Sequence, residues 1–375
     1  MKYYFSFLIS LLIIILSIDS VSAKEPAILS FETGVLEDKE FGAVYLDLTI
    51  EEFSERGFSF GDGITVEFDN GFRLENIPYY SGYYVNIGET LACGYPGYPH
   101  VAIVRNYSAP MWEESGVTED TSATVSLVQK GEYLATEELF HLTYDSVQKD
   151  GESDIQFGNF RPLKGGKIQE NLIYRGASPC DNTHGRASVA DKLIKDAGIR
   201  YVINLSDSEE EVEEFRQEQG YHSPYYDYLL EENNVILLDL NANYTSEEYN
   251  QKLSHALFEM TKHEGPIFIH CQEGKDRTGF VCALILSLAG ASEEEIIEDY
   301  MITFENYYGI TKENNSEKYN AVLSNIEGFM DYIRGETTLQ EGAEEYLVKG
   351  GLREKEIEAV YQMLCGKELQ GDRNK

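Results

Sequence analysis

Over residues 26–144 apolar and polar positions alternate in short stretches. Ile64-Thr65-Val66-Glu67-Phe68 and Tyr83-Tyr84-Val85-Asn86-Ile87 keep a two-residue period, and Asp62-Gly63, Asp69-Asn70-Gly71 and Gly94-Tyr95-Pro96-Gly97-Tyr98-Pro99 interrupt the pattern. A two-residue period lays one face of a strand on a core and leaves the other in water, while Gly, Pro, Asn and Asp supply the turns. The pattern predicts a smaller, mostly antiparallel β domain over 24–146. Tyr79-Tyr80 and Tyr83-Tyr84 are expected to pack across strands, where aromatic side chains are favoured.

Beyond a polar linker at 149–154 the period changes. Residues 187–197 read as a helix stopped by Gly198, 199–205 as a strand, 206–219 as an acidic helix with a solvated face, and 235–240 as a second buried strand. Thr245 and Glu248 have capping-box spacing for a helix running to about 262, with Leu253, Leu257 and Met260 on its apolar stripe. Residues 266–270 form a third strand, and further helices are expected at 280–288, 292–304 and 354–364. Strands separated by helices predict an α/β domain over 155–368, a parallel sheet flanked by helices with its ligand at the carboxyl ends of the strands.

The N-terminus changes the setting. Lys2, an apolar run over 5–18 and then Val21-Ser22-Ala23 have the layout of a cleaved signal peptide over 1–23. The run is shorter than the ~20 residues that span a bilayer, so no stable membrane anchor is expected after cleavage. The predicted location is secreted or extracytoplasmic, in a bacterium. A formal net charge of -36 repels nucleic acid and anionic membranes. No nucleic-acid partner is expected, and an anionic substrate must be held by a local cationic pocket. With 42% hydrophobic residues, 27 Tyr and 18 Phe, the chain is not disordered. The five cysteines, Cys93, Cys180, Cys271, Cys282 and Cys365, include no C-x-x-C pair and no zinc-like spacing against the seven histidines. No metal and no other cofactor are predicted, and at least one thiol stays free. Cys282 lies in an apolar helix and is expected to pack in the core.

Candidate chemistry sits at the end of the third strand, in His270-Cys271-Gln272-Glu273-Gly274-Lys275-Asp276-Arg277-Thr278-Gly279. The five residues between Cys271 and Arg277 suffice for a loop whose backbone N–H groups surround a tetrahedral oxyanion. Gly274 permits the tight turn, and the helix that begins near Arg277 aims its positive end at the same point. Such surroundings favour a Cys271 thiolate as nucleophile. The planar fork of Arg277 suits two equatorial phosphate oxygens. Thr278 can donate its hydroxyl to the departing sulfur, and His270 either orients the loop through a ring hydrogen bond or packs as a strand residue. Gln272, Glu273, Gly274, Lys275 and Gly279 complete the expected substrate-binding loop.

The same residues resemble the protein tyrosine phosphatase superfamily, whose signature is H-C-x5-R-S/T. The Gly-Lys-Asp-Arg-Thr-Gly form is similar to a branch of bacterial, often exported, tyrosine and phosphoinositide phosphatases. Asn159-Phe160-Arg161, Gly165-Gly166 and Leu172-Ile173-Tyr174-Arg175-Gly176 are similar to that branch's N-F-R-D-L-G-G and Y-R-S/G segments, with Pro162-Leu163-Lys164 in place of the D-L. The resemblance covers about 157–364 and does not reach the β domain. It implies a tyrosine-phosphatase-like fold and hydrolysis of phosphate monoesters through a cysteinyl phosphate. It further implies Asp276 as general acid and Lys275 as a reader of extra phosphates. Asp207 and Asp239, both at strand ends, compete for the role of acid. A phosphorylated protein bearing phosphotyrosine is the first expected substrate; phosphoinositides or inositol polyphosphates are the alternative. Two readings from other classes are a sulfurtransferase, which would show in a thiosulfate–cyanide assay, and a catalytically silent phospho-binding protein, which would release no phosphate.

Overall fold

The structure is a computed structural model that describes residues 29–366; the expected signal peptide at 1–23 lies outside the described residues. β1 (Ser30–Glu37), β2 (Val44–Leu46), β3 (Gly63–Phe68), β4 (Arg73–Tyr80), β5 (Thr90–Cys93), β6 (Ala102–Arg105) and β7 (Ser122–Gln129) close into a barrel in the order β1-β2-β6-β5-β4-β3-β7. The β4–β5 pair is parallel and the other neighbours are antiparallel. On β3 the two-residue period sends Ile64, Val66 and Phe68 inward and leaves Glu67 exposed. These side chains meet Val35, Leu46 and Val125 in a core of the barrel's own, and closure removes both sheet edges. Short helices α1 (Ile50–Glu55), α2 (Met111–Ser115) and α3 (Leu134–Phe140) accompany the strands.

One expected strand is absent. Residues 83–87 form no strand, because Tyr84 N–H turns back to the Gly82 carbonyl (3.0 Å) and Asn86 N–H bonds the Glu89 carboxylate (2.9 Å), so local contacts consume the donors a ladder needs. Tyr79 and Tyr80 are buried in the barrel as expected. Tyr83 instead sits at its rim, hydroxyl to hydroxyl with Tyr98 at 2.8 Å.

The second sheet contains β8 (Arg161–Pro162), β9 (Ile173–Gly176), β10 (Tyr201–Asn204), β11 (Val235–Leu237) and β12 (Ile267–His270), in the order β11-β10-β12-β9-β8. Four strands run parallel, but β8 is antiparallel to β9, so the sheet is mixed rather than parallel. The extra strand is two residues long and at the edge, where Pro162, lacking an N–H, disturbs no ladder. α4 (Asp154–Phe157) precedes the sheet. α5 (Ala187–Asp196), α6 (Glu209–Gln217) and α7 (Pro224–Glu231) follow along the chain, then α8 (Glu247–Glu259), α9 (Asp276–Leu288), α10 (Glu293–Tyr308), α11 (Ser316–Arg334), α12 (Leu339–Lys349) and α13 (Glu354–Cys365).

Local chemistry moves three expected boundaries. β11 stops at Leu237, since Asp239 adopts φ 46°, which a strand does not hold. Ser246, not Thr245, caps α8 by accepting from Tyr249 N–H (3.2 Å), while the Thr245 hydroxyl goes to Asn243 (2.8 Å). α10 runs on to Tyr308, where Gly309 at φ 62° ends it.

Alternation along β12 positions the site. Ile267 and Ile269 join the core shared with α8, α9 and α10–α13, whereas Phe268 faces the core formed with α5–α7. His270 follows Phe268 onto that second side, and Cys271 belongs to the first core. The barrel meets this domain through α3, whose Leu139 packs in the same core and whose Glu138 pairs with Lys318 of α11 at 2.8 Å. Among the described residues no helix is long and apolar enough to cross a membrane.

Candidate active site

The loop from Cys271 to Lys275 joins β12 to α9, and its carbonyl groups are tied outward one after another. Cys271 O takes the His270 Nδ1–H at 3.1 Å, which fixes the tautomer because a carbonyl only accepts. Gln272 O accepts from Ser178 N–H (3.1 Å) and Glu273 O from the Tyr307 hydroxyl (2.6 Å). Gly274 O accepts from Arg175 Nη2 (2.7 Å) and Asn159 Nδ2 (3.3 Å). A planar trans peptide points its N–H away from its C=O. The N–H groups from Gln272 to Thr278 accordingly find no acceptor among the described residues. That row of unpaired donors at a helix start makes an anion cradle.

Gly274 takes φ 67°, and a Cβ there would collide with the Gly176 carbonyl, so both conformation and space demand glycine. At Gly279 a Cβ would collide with the ring of Tyr300, so space alone calls for glycine there.

Behind the loop stands an ionic support that the sequence reading gave no role. Arg175 is fully buried and forms an ion pair with Asp299, which also takes Arg161 Nε at 3.0 Å. Arg161 Nη1 bonds Asn159 Oδ1 (2.7 Å) and Nη2 bonds the Asp299 carbonyl (2.6 Å). Burial pushes the Asp299 carboxyl up, but the two guanidiniums outweigh it and hold it below the ordinary carboxylate value. Asn159, Arg161 and Arg175 fall within the segments that carried the family resemblance, so their positions were legible; their partner Asp299 carried no signal beyond an acid on a half-apolar helix.

Cys271 is 3% exposed at the foot of this loop. Arg277 is half-buried and its Nη1 donates to Leu240 O at 2.8 Å. Both groups act on the buried Tyr249 hydroxyl: burial and then the Cys271 sulfur push its pKa up, and Arg277 opposes them. Cys271 and Leu240, the acceptor of Arg277, belong to the same core. The Thr278 hydroxyl is buried without a partner among the described residues. His270 is fully buried; burial, offset only in part by Asp207, pulls its pKa from 6.5 to about 4, so the ring is neutral.

Lys275 does not stand free. Its amine pairs with Glu273 (2.9 Å) and Asp276 (3.7 Å) and reaches the Tyr308 hydroxyl (3.4 Å). Burial pulls the amine's pKa down, yet the two carboxylates outweigh it and keep it above the ordinary lysine value. Glu273 also accepts from the Tyr144 hydroxyl and lies 3.7 Å from His184 Nε2. A pocket of about 300 Å³ opens over Glu273, Lys275 and Asp276. Asp276 is an exposed residue whose side chain is 60% accessible there. Asp207 is buried at 5%, accepting from Asn204 Nδ2 (2.9 Å) and from the Cys180 thiol (3.5 Å). Asp239 lies in a separate groove beside Ser208, Arg216 and His255. All five cysteines are free and buried, with Cys282 in the core of α9 as expected.

The profile of the tyrosine phosphatase family matches residues 156–366. Among characterised proteins, the triple specificity protein phosphatase PtpB of Mycobacterium tuberculosis is 32% identical over 78 residues, which cover 19% of this chain and 28% of that protein. A tyrosine-protein phosphatase of Nostoc commune is 38% identical over 52 residues, covering 14% of this chain and 18% of that protein. The chain thus spans less than a third of the length of either relative. The crystal structure of P. aeruginosa TpbA overlaps 42% of this chain and 84% of its own at 15% identity and a TM-score of 0.24. The same protein in complex with pTyr gives 14% identity, 42% and 83% coverage and a TM-score of 0.24.

Two outcomes follow from the supports of the loop. Replacing Asp299 with Asn leaves two buried guanidiniums short of countercharge and should lower the unfolding free energy by about 3 kcal/mol in urea titrations; a loss under about 1 kcal/mol would show that the pair is not structural. The His270 pKa is lower in the folded chain than in the unfolded one, so its stabilising effect is complete above about 6.5 and disappears as the pH falls toward about 4. Thermal melts of His270→Asn should lose less stability across that interval than wild type, and equal slopes would contradict the assignment.

Proposed function

Because the chain belongs to the tyrosine phosphatase family, we propose that it hydrolyses phosphate monoesters at the loop between β12 and α9, with phosphotyrosine as substrate. The observation that supports this reading is the loop itself: outward-tied carbonyls and unpaired N–H groups in the segment that runs from Cys271 to Arg277.

The Cys271 thiolate attacks phosphorus as the bond to the ester oxygen breaks. The cradle N–H groups and Arg277 hold the equatorial oxygens and stabilise the charge that redistributes on them. The leaving oxygen takes its proton from Asp276, which opens onto the pocket, whereas Asp207 is consumed by Asn204 and Cys180 and Asp239 faces another groove. A water molecule then attacks the cysteinyl phosphate and gives its proton to the Asp276 carboxylate. The sulfur–phosphorus bond breaks, inorganic phosphate leaves and the thiolate is restored. Thr278, with its uncommitted hydroxyl, donates to the departing sulfur. His270 acts as a neutral strut on the Cys271 carbonyl. Gln272, Glu273, Gly274, Lys275 and Gly279 shape the loop, and the first four line the phosphate with backbone N–H groups.

The state of Lys275 favours phosphotyrosine over phosphoinositides. Its amine is already neutralised by Glu273, so it offers little to an additional phosphate. The apolar run at 5–18 supports an exported enzyme as part of the same proposal.

Cys271→Ser should keep binding inorganic phosphate while losing turnover of phosphotyrosine; turnover near the wild-type rate would rule the mechanism out. Asp276→Asn should slow phenyl phosphate about 10²-fold and p-nitrophenyl phosphate far less, since a good leaving group needs no proton. Equal losses on the two substrates would move the acid to another residue.

A further inference from the structure

The pocket above the phosphate loop is built by both parts of the chain. Leu139, Phe140, Leu142 and Tyr144 form one wall, and Phe304 and Tyr308 of α10 face them. The first wall is the segment that leaves the barrel, and the barrel holds it in place. Glu137, buried in α3, accepts from Ser81 N–H (3.1 Å) and the Ser81 hydroxyl (2.6 Å) just beyond β4. Phe140 stacks on Tyr84 of the barrel rim with centroids 4.4 Å apart and planes 6° from parallel. Lower down, Tyr144 stacks on Tyr307 at 4.7 Å and bonds the Glu273 carboxylate of the loop. A chain of contacts thus runs from the end of β4 to the phosphate loop.

Building on the phosphatase reading, we propose that the β-barrel determines substrate choice, presenting 139–144 as an apolar wall that grips the aromatic ring carrying the scissile phosphate. A volume near the low end for ligand sites admits one ring and little more. Aromatic and aliphatic walls suit the flat apolar face of an arene. The floor holds two carboxylates, Glu273 and Asp276, against the single amine of Lys275. With Asp276 carrying the proton it gives to the leaving oxygen, Glu273 alone cancels the amine, so the floor offers a second phosphate no net positive charge; a ring bearing several phosphates is excluded, while a phosphorylated arene with neutral surroundings is accepted. Ser81 is a positioning residue in this scheme: it touches no substrate and acts through Glu137.

The test uses the full chain, Thr143→Trp and Ser81→Ala. Thr143 is exposed and lines the pocket, so its replacement narrows the opening without disturbing a core. KM and kcat are measured for phosphotyrosine, and inorganic phosphate, which needs only the cradle, is measured as a competitive inhibitor. The KM should rise about tenfold in Thr143→Trp and about threefold in Ser81→Ala, with the inhibition constant for phosphate within twofold of wild type, in keeping with the modest worth of single apolar contacts. Inositol hexakisphosphate should not be turned over. An active enzyme whose KM ignores both changes, or which hydrolyses inositol hexakisphosphate as readily as phosphotyrosine, would overturn this inference alone. A wild-type chain that neither binds phosphate nor cleaves phosphotyrosine would overturn the phosphatase reading with it.

Discussion

The hydrogen bond from the Arg175 guanidinium to the Gly274 carbonyl is the constraint on which the site depends. A buried guanidinium is costly unless its charge is met and its donors are used. Asp299 meets the charge and Gly274 uses a donor. The cost of burial therefore becomes geometric definition: Arg175 has one place to be, and the loop carbonyl must come to it. With that carbonyl and its neighbours engaged, the peptide planes leave the following N–H groups on the opposite side of the loop, without acceptors among the described residues. The same support explains why glycine is needed at 274, since Gly176 of the adjacent strand β9 presses on the loop from below.

Electrostatics on two length scales then act in opposition. The chain carries a formal net charge of -36, which repels phosphorylated molecules at long range. Inside about one Debye length the start of α9, Arg277 and the cradle reverse the sign. On the proposed reading, a phosphate is admitted only where the local donors converge, and anions are discriminated by the cradle rather than by the surface. Carboxylates placed beside Lys275 carry that logic to the pocket floor.

How much of this was legible depended on how local each determinant is. The loop from His270 to Gly279 could be read because the proposed nucleophile and clamp, the turn glycine and the helix start all lie within ten consecutive positions. Three strands of the second sheet, β10, β11 and β12, followed from period changes, whereas β9 and α7 were not read as elements; one boundary moved where Asp239 takes a left-handed conformation. β8 was missed because two residues ending in proline carry no periodic signal, and with it the antiparallel edge that makes the sheet mixed. Asp299 lies 124 positions from Arg175, and Tyr144 meets Glu273 across 129; pairings that distant are set by packing, which a pattern of apolar positions does not encode. Barrel closure by β1 and β7 is hidden for the same reason, and so is the approach of α3 to α11.

Rapid quenching of the full chain during its first turnover of a radiolabelled phosphotyrosine peptide, followed by peptide mapping, addresses the account most directly. The phosphoryl group should appear transiently on the peptide containing Cys271 before free phosphate is released. Phosphate release without any labelled protein, or label on a different residue, would contradict it.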